Sequence, residues 1–128
     1  MPVDAALEAL QALIERSVQS ATPAVADSVA YPGRQMTAAE LVAFVRDARL
    51  IAMATVGPRE TPHVAPVHAE LEGTTLRCLV YEDAVRRRDI ARNPRVAFTT
   101  WKDGAVAILY GRARELPGSA RATSSYPS

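Results

Sequence analysis

The sequence predicts a mainly β protein with helices, an α+β fold built on a small, partly open antiparallel β-barrel. Three observations predict it. The first 48 residues carry apolar positions at helical spacing, whereas from residue 49 the apolar period drops to two and turn residues become closely spaced. All strand connections but one are short, which requires antiparallel pairing. The five short strands cannot leave their apolar faces in water, and a partly open barrel closed by helices buries them.

The helices come first. Val3, Leu7, Leu10, Ile14 and Val18 recur at steps of three and four and make one apolar stripe. Residues 22–33, with Pro23, Pro32 and Gly33, read as a loop. Thr37 and Glu40 form a T-x-x-E capping box, so a second helix starts there, with Leu41, Phe44, Val45 and Ala48 as its buried face.

The strands follow. Residues 50–56 form the first, and Gly57-Pro58-Arg59-Glu60 its turn. Residues 61–71 read as one second strand with His63, Ala65, Val67, Ala69 and Leu71 on one face. Pro66 lacks an N–H, so this strand needs a free edge or a bulge. Glu72-Gly73-Thr74 turns the chain into a third strand over 75–81. A short polar helix over 82–93, stopped at Asn93-Pro94, joins the third strand to a fourth over 95–101. Lys102-Asp103-Gly104 makes a hairpin into a fifth strand over 105–115. The expected organisation is a single domain: a helical extension over 1–35, a barrel core over 36–116 and a flexible tail over 117–128.

Composition bounds the function. With 128 residues, 48% hydrophobic and 23% charged, the chain reads as one ordinary globular domain. A net charge of +1 and an aromatic content of 5% argue against a nucleic-acid binder, which needs a positive field and stacking platforms. A single cysteine, Cys78, excludes an internal disulfide and a multi-cysteine metal cluster. No apolar run reaches the roughly 20 residues of a membrane span, and the start lacks a signal-peptide pattern, so no membrane and a cytoplasmic location are expected. Residues 1–48 carry six acids and three bases, residues 49–128 eight acids and twelve bases, and Lys102 is the only lysine.

Several chemistries lack their motifs: there is no G-x-G-x-x-G, no P-loop, no H-E-x-x-H and no nucleophile elbow. His63 and His68, five apart on one expected strand, point to opposite faces and cannot share a metal within a protomer. Each reads as a solvated or core-satisfied histidine. Cys78 reads as a buried, unreactive thiol. The cluster Arg86, Arg87, Arg88, Arg92 and Arg95 stands above background. It is either a solvated face with Glu82–Arg86 and Asp83–Arg87 pairs, or a phosphate site whose guanidinium forks meet phosphate oxygens near a helix start.

Four stretches carry a resemblance. They are Arg49-Leu50-Ile51-Ala52-Met53-Ala54-Thr55-Val56-Gly57, Thr61-Pro62-His63-Val64-Ala65-Pro66-Val67, Ile90-Ala91-Arg92-Asn93-Pro94-Arg95-Val96 and Tyr110-Gly111-Arg112-Ala113. In this order and spacing the chain resembles the flavin-binding split-barrel family typified by pyridoxamine 5′-phosphate oxidase. The resemblance implies a homodimer holding FMN, or in some branches the deazaflavin F420 or haem, between protomers, and a small-molecule substrate. It implies that Arg49, Leu50, Ile51, Ala52, Met53 and Ala54 line the cofactor site and that Leu79, Val80 and Tyr81 lie against the flavin. It implies that Arg86 holds the phosphate, and Arg88 is the next candidate. Ala52, Ala54, Ala65 and Pro66 are small enough to let a flat ring approach the backbone, while Trp101 and Tyr81 are stacking walls or ordinary packing.

The expected function is a flavin-dependent oxidoreductase acting on a small molecule. Ala84 and Val85 stand where the family carries a hydroxyl and an arginine, so a non-catalytic cofactor- or haem-binding dimer is the alternative. Family members continue past the fifth strand with a helix and a last strand that serve the oxidase's substrate. The sequence ends at Ser128, and true pyridoxamine-phosphate oxidase activity is not expected.

Overall fold

The computed structural model describes residues 3–20, 35–80 and 84–116. Its elements fall into two compact units.

One unit holds the N-terminal helices and residues 70–77. Helix α1 spans Val3–Ser20 and α2 spans Ala38–Asp47. Ala6 and Leu10 of α1 are buried, as are Ala38, Leu41 and Val45 of α2. The capping box forms as expected: Thr37 N–H donates to Glu40 Oε1 at 3.0 Å, and Glu40 N–H donates to Thr37 Oγ1 at 3.2 Å. Those bonds from Thr37 hold the Glu40 carboxyl below its ordinary value. Ala38 N–H donates to Gln11 Oε1 at 2.9 Å, which ties the start of α2 to α1. Strands β3 (Ala69–Glu72) and β4 (Thr75–Cys78) form a two-stranded sheet. Gly73 takes φ +56° at their turn, a left-handed conformation that costs glycine nothing, and lies in contact with Ala6.

The other unit holds a four-stranded sheet in the order β2-β1-β5-β6, with β1 Ile51–Val56, β2 Pro62–Val67, β5 Arg95–Lys102 and β6 Ala105–Arg112. Every described pairing in it is antiparallel. The register aligns Met53 with Ala65 and Phe98, and Phe98 with Leu109. One face therefore collects Ile51, Met53, Thr55, Val67, Val96, Phe98, Thr100 and Ala107, all buried. Helix α3 (Val85–Arg92) packs against β1 and brings Asp89, which is fully buried, to this face. The other face carries Val64, Trp101, Val106, Ile108 and Tyr110, all exposed. β5 and β6 join through Asp103 and Gly104 at φ +52° and +82°, the two positive values a two-residue hairpin needs.

Several boundaries differ from expectation. The second strand breaks at His68, and its halves pair in different sheets, β2 with β1 and β3 with β4. Alternation continues across 61–71, so the side-chain pattern cannot reveal a change of partner. β2 lies at the sheet edge, which accommodates Pro66. The third strand ends at Cys78, leaving Leu79 and Val80 outside it. The polar helix starts at Val85, the fifth strand ends at Arg112, and Ala48 lies beyond α2. Tyr81, the Glu82–Arg86 and Asp83–Arg87 pairs, the loop over 22–33 and the tail over 117–128 lie outside the described residues.

Candidate functional site

The site grows from the β1–β2 ladder and the start of α3. Thr55 on β1 and His63 on β2 are direct cross-strand partners. Because alternate residues share a face, both side chains point to the face where Asp89 lies. Thr55 Oγ1 donates to Asp89 Oδ2 at 2.7 Å, and His63 Nδ1 lies 2.6 Å from the same oxygen. Arg92 donates to Asp89 Oδ1 at 3.3 Å from one turn along α3. Burial pushes the Asp89 carboxyl upward. The hydrogen bonds from His63 and Thr55, and the charges of His63 and Arg92, outweigh it and hold the carboxyl below its ordinary value. Asp89 is therefore an ionised carboxylate with both oxygens engaged.

Met53, Thr55, Pro62, His63, Val64, Ala65, Val85 and Arg86 line a cleft of about 350 Å³. Arg86 Nε is buried and has no hydrogen-bond partner among the described residues. A buried donor without an acceptor costs about 1–3 kcal/mol, and an anionic ligand would relieve that cost. No side chain caps the start of α3, because Ala84 has no acceptor to offer. The Arg86 charge also reaches Cys78: burial pushes the Cys78 thiol up, and Arg86 opposes this only in part. A second cleft of about 470 Å³ is lined by Leu50, Ala52, Val64, Ala65, Pro66, Thr99, Thr100 and Trp101. Val64 and Ala65 belong to both clefts.

Strand alternation divides the expected site residues. Met53 and Arg86 meet in the first cleft, Leu50 and Ala52 in the second. Ile51 is buried in the sheet core, and Ala54 is half-buried on the opposite face to Met53. Arg49 is exposed ahead of β1, and Leu79 and Val80 are half-buried after β4. Arg88 is exposed and lines neither cleft. Arg87 pairs with Glu115 at 2.7 Å. Among the described residues no group of three or more His, Cys, Asp or Glu could hold a metal, and no helix is long and apolar enough to cross a membrane.

Sequence reading missed Asp89. An acid inside an arginine-rich helix reads as a solvated counter-charge, and nothing local says that it turns inward. The one available signal was spacing: Asp89 precedes Arg92 by three positions, so the two share a helix face.

The antiparallel sheets and three helices of the described residues make an α+β fold of open, barrel-like type. The family model of pyridoxamine 5′-phosphate oxidase matches residues 37–126, and the chain belongs to that family. It is similar to a solved structure, the conserved hypothetical protein Rv2991 from Mycobacterium tuberculosis, with 24% identity and a TM-score of 0.59. That likeness, which is one of fold, covers 69% of this chain and 59% of the other, so the chain spans about three-fifths of that structure's length. A second solved structure aligns at 20% identity with a TM-score of 0.49, too loosely to bear on the reading. No curated protein matches the chain.

Proposed function

We propose that the protein is a flavin-dependent oxidoreductase that binds FMN as a homodimer and acts on a small molecule. The observation that carries this reading is Arg86: a buried guanidinium nitrogen without an acceptor among the described residues, lining a cleft in a chain of a flavin-binding family. A phosphate offers the planar acceptor pair that a guanidinium fork takes up. The uncapped start of α3 adds backbone N–H groups of the right sign. The donor set thus fits the phosphate end of the cofactor. Ala52, Ala65 and Pro66 give the ring system a wall without bulky side chains. The flavin, when bound, supplies the two-electron chemistry; Arg86 grips and orients it.

The homodimer is supported by the exposed sheet face. Val64 is 72% exposed, Trp101 68% and Tyr110 82%, with Val106 and Ile108 beside them. Neighbouring apolar side chains of this number on one flat face mark an interaction surface.

The test is titration with FMN followed by quenching of flavin fluorescence. Arg86→Ala is expected to weaken FMN by about 10- to 150-fold, the equivalent of about 1.5–3 kcal/mol for a charged hydrogen bond. Riboflavin, which lacks the phosphate, should bind wild type and variant alike. Equal FMN affinity in the two proteins moves the phosphate away from Arg86. Failure of the wild type to bind either FMN or F420 would instead support the non-catalytic dimer.

A further inference from the structure

The cleft that Arg86 lines carries one other side chain able to hold a positive charge, His63. A phosphate monoester brings a charge of about −1.5 to −2 near neutral pH, and one guanidinium answers only part of it. Ala84 and Val85, at the start of α3, have no polar side-chain atom to add. The ring of His63 is held for such a contact. Asp89 is fully buried; its Oδ2 accepts from Thr55 Oγ1 at 2.7 Å and lies 2.6 Å from His63 Nδ1. An ionised carboxylate only accepts, so the hydrogen shared with the ring sits on Nδ1. The turn before β2 pins the same ring. A Cβ at Gly57 would fall 2.8 Å from His63 Nδ1 and closer still to Cε1, so any larger residue displaces the imidazole. Nε2 is left without a partner among the described residues, and the side chain lines the cleft 37% exposed, within reach of solvent protons.

We propose that His63 is a second phosphate ligand beside Arg86, binding as an imidazolium that donates from Nε2 while Asp89, as the positioning residue, keeps Nδ1. This rests on reading the Arg86 cleft as the phosphate site, and it makes phosphate binding take up one proton. With Nδ1–H committed to Asp89, a neutral ring presents a lone pair at Nε2, which repels a phosphate oxygen. One proton from water turns that acceptor into a charge-assisted donor. The proton moves from solvent to Nε2, and the phosphate oxygen accepts the new N–H. The charges around the ring then balance. On α3, Arg92 bonds Asp89 and offsets it, and Arg86 lines the cleft with one positive charge. The imidazolium supplies a second, against a phosphate dianion. β1 contributes the Thr55 hydroxyl and no charge, and Arg59 and Glu60 of the turn before β2 are exposed. The site therefore selects a phosphate monoester over the uncharged hydroxyl end of riboflavin, and does so more strongly as pH falls.

Two titrations of the full chain test this. FMN and riboflavin affinities are compared by flavin fluorescence from about pH 7.5 to 9, where a phosphate monoester stays a dianion. A ligand that takes only the imidazolium loses up to about tenfold in affinity per pH unit as that form is depleted. The wild-type preference for FMN over riboflavin should therefore fall at least about fivefold across this range. In His63→Gln, whose amide donates without titrating, it should stay within about twofold. Gly57→Ala displaces the ring and leaves His63 and Asp89 in place, and it should lower the FMN preference at neutral pH; an unchanged preference would put the phosphate beyond the ring's reach. Nitrogen NMR of histidine-labelled protein reads the ring itself. Nε2 should hold its proton to a higher pH with FMN than with riboflavin, and inorganic phosphate should act in the same sense where chloride at equal ionic strength does not. If the FMN preference of the wild type does not change with pH, or Nε2 loses its proton at the same pH with either flavin, the proposal is overturned and the flavin reading survives. If the wild type binds no flavin but phosphate still keeps Nε2 protonated, the His63 clamp stands and the flavin reading falls. If neither FMN nor phosphate alters the ring, the role of His63 falls outright.

Discussion

Thr55→Val isolates one bond in the buried cluster. Valine keeps the branched shape and deletes only the hydroxyl that donates to Asp89 Oδ2 at 2.7 Å. Thr55 is 3% exposed, so no water replaces the lost donor. A hydrogen bond to a charged group contributes about 1.5–3 kcal/mol, which for a chain of this length lowers Tm by roughly 6–12 °C. The cost has a pH signature. Asp89 is held below its ordinary value, so its contribution is fully present above the unfolded-state pKa and is lost as pH falls through the folded one. Thr55 is one cause of that depression, so the gap between wild type and Thr55→Val should be widest at neutral pH. It should narrow as Asp89 takes up its proton. Urea unfolding from pH 7 down to about pH 3 reads this directly. A neutral-pH cost under about 0.5 kcal/mol would refute a buried, ionised Asp89 that takes its bond from Thr55.

Three further outcomes are expected. Thr37→Ala removes one half of the capping box and should cost about 1 kcal/mol in chemical denaturation, whereas Ser at the same position should restore most of it. Trp101→Glu places a charge on the exposed sheet face, and sedimentation velocity should show the proposed dimer shifted toward monomer with the far-UV spectrum unchanged. Cys78 should react slowly with a maleimide at neutral pH, and Arg86→Met should slow it further by about twofold or more, because removing the opposing charge leaves burial alone to raise the thiol. Faster labelling in that variant would mean that access, not charge, controls Cys78.

Much of the fold is legible in short windows because its causes are local. The capping box reads from Thr37 and Glu40 alone, since both bonds close within three residues. The last hairpin reads from Asp103-Gly104, since only residues tolerant of positive φ fit a two-residue turn. Pro66 announces an edge because it cannot donate to a neighbour. Arg86 was legible as a phosphate candidate by resemblance. Its separation from Arg88 was not, because helix phase against β1 decides which arginine meets the cleft.

The sequence by itself determined the order of helices and strands, the turns between them and the family, all of which follow from periodicity, backbone preference and motifs read along the chain. Only the tertiary structure decided that the second strand divides between two sheets at His68, because pairing partners are chosen by backbone bonds that side-chain alternation does not record. It also decided the Thr55–His63–Asp89 cluster. Asp89 lies 34 positions from Thr55 and 26 from His63, and their meeting depends on the register of β1 with β2 and on the face that α3 turns toward the sheet. A buried carboxylate is stable only where such distant donors converge, so no local window could have revealed it.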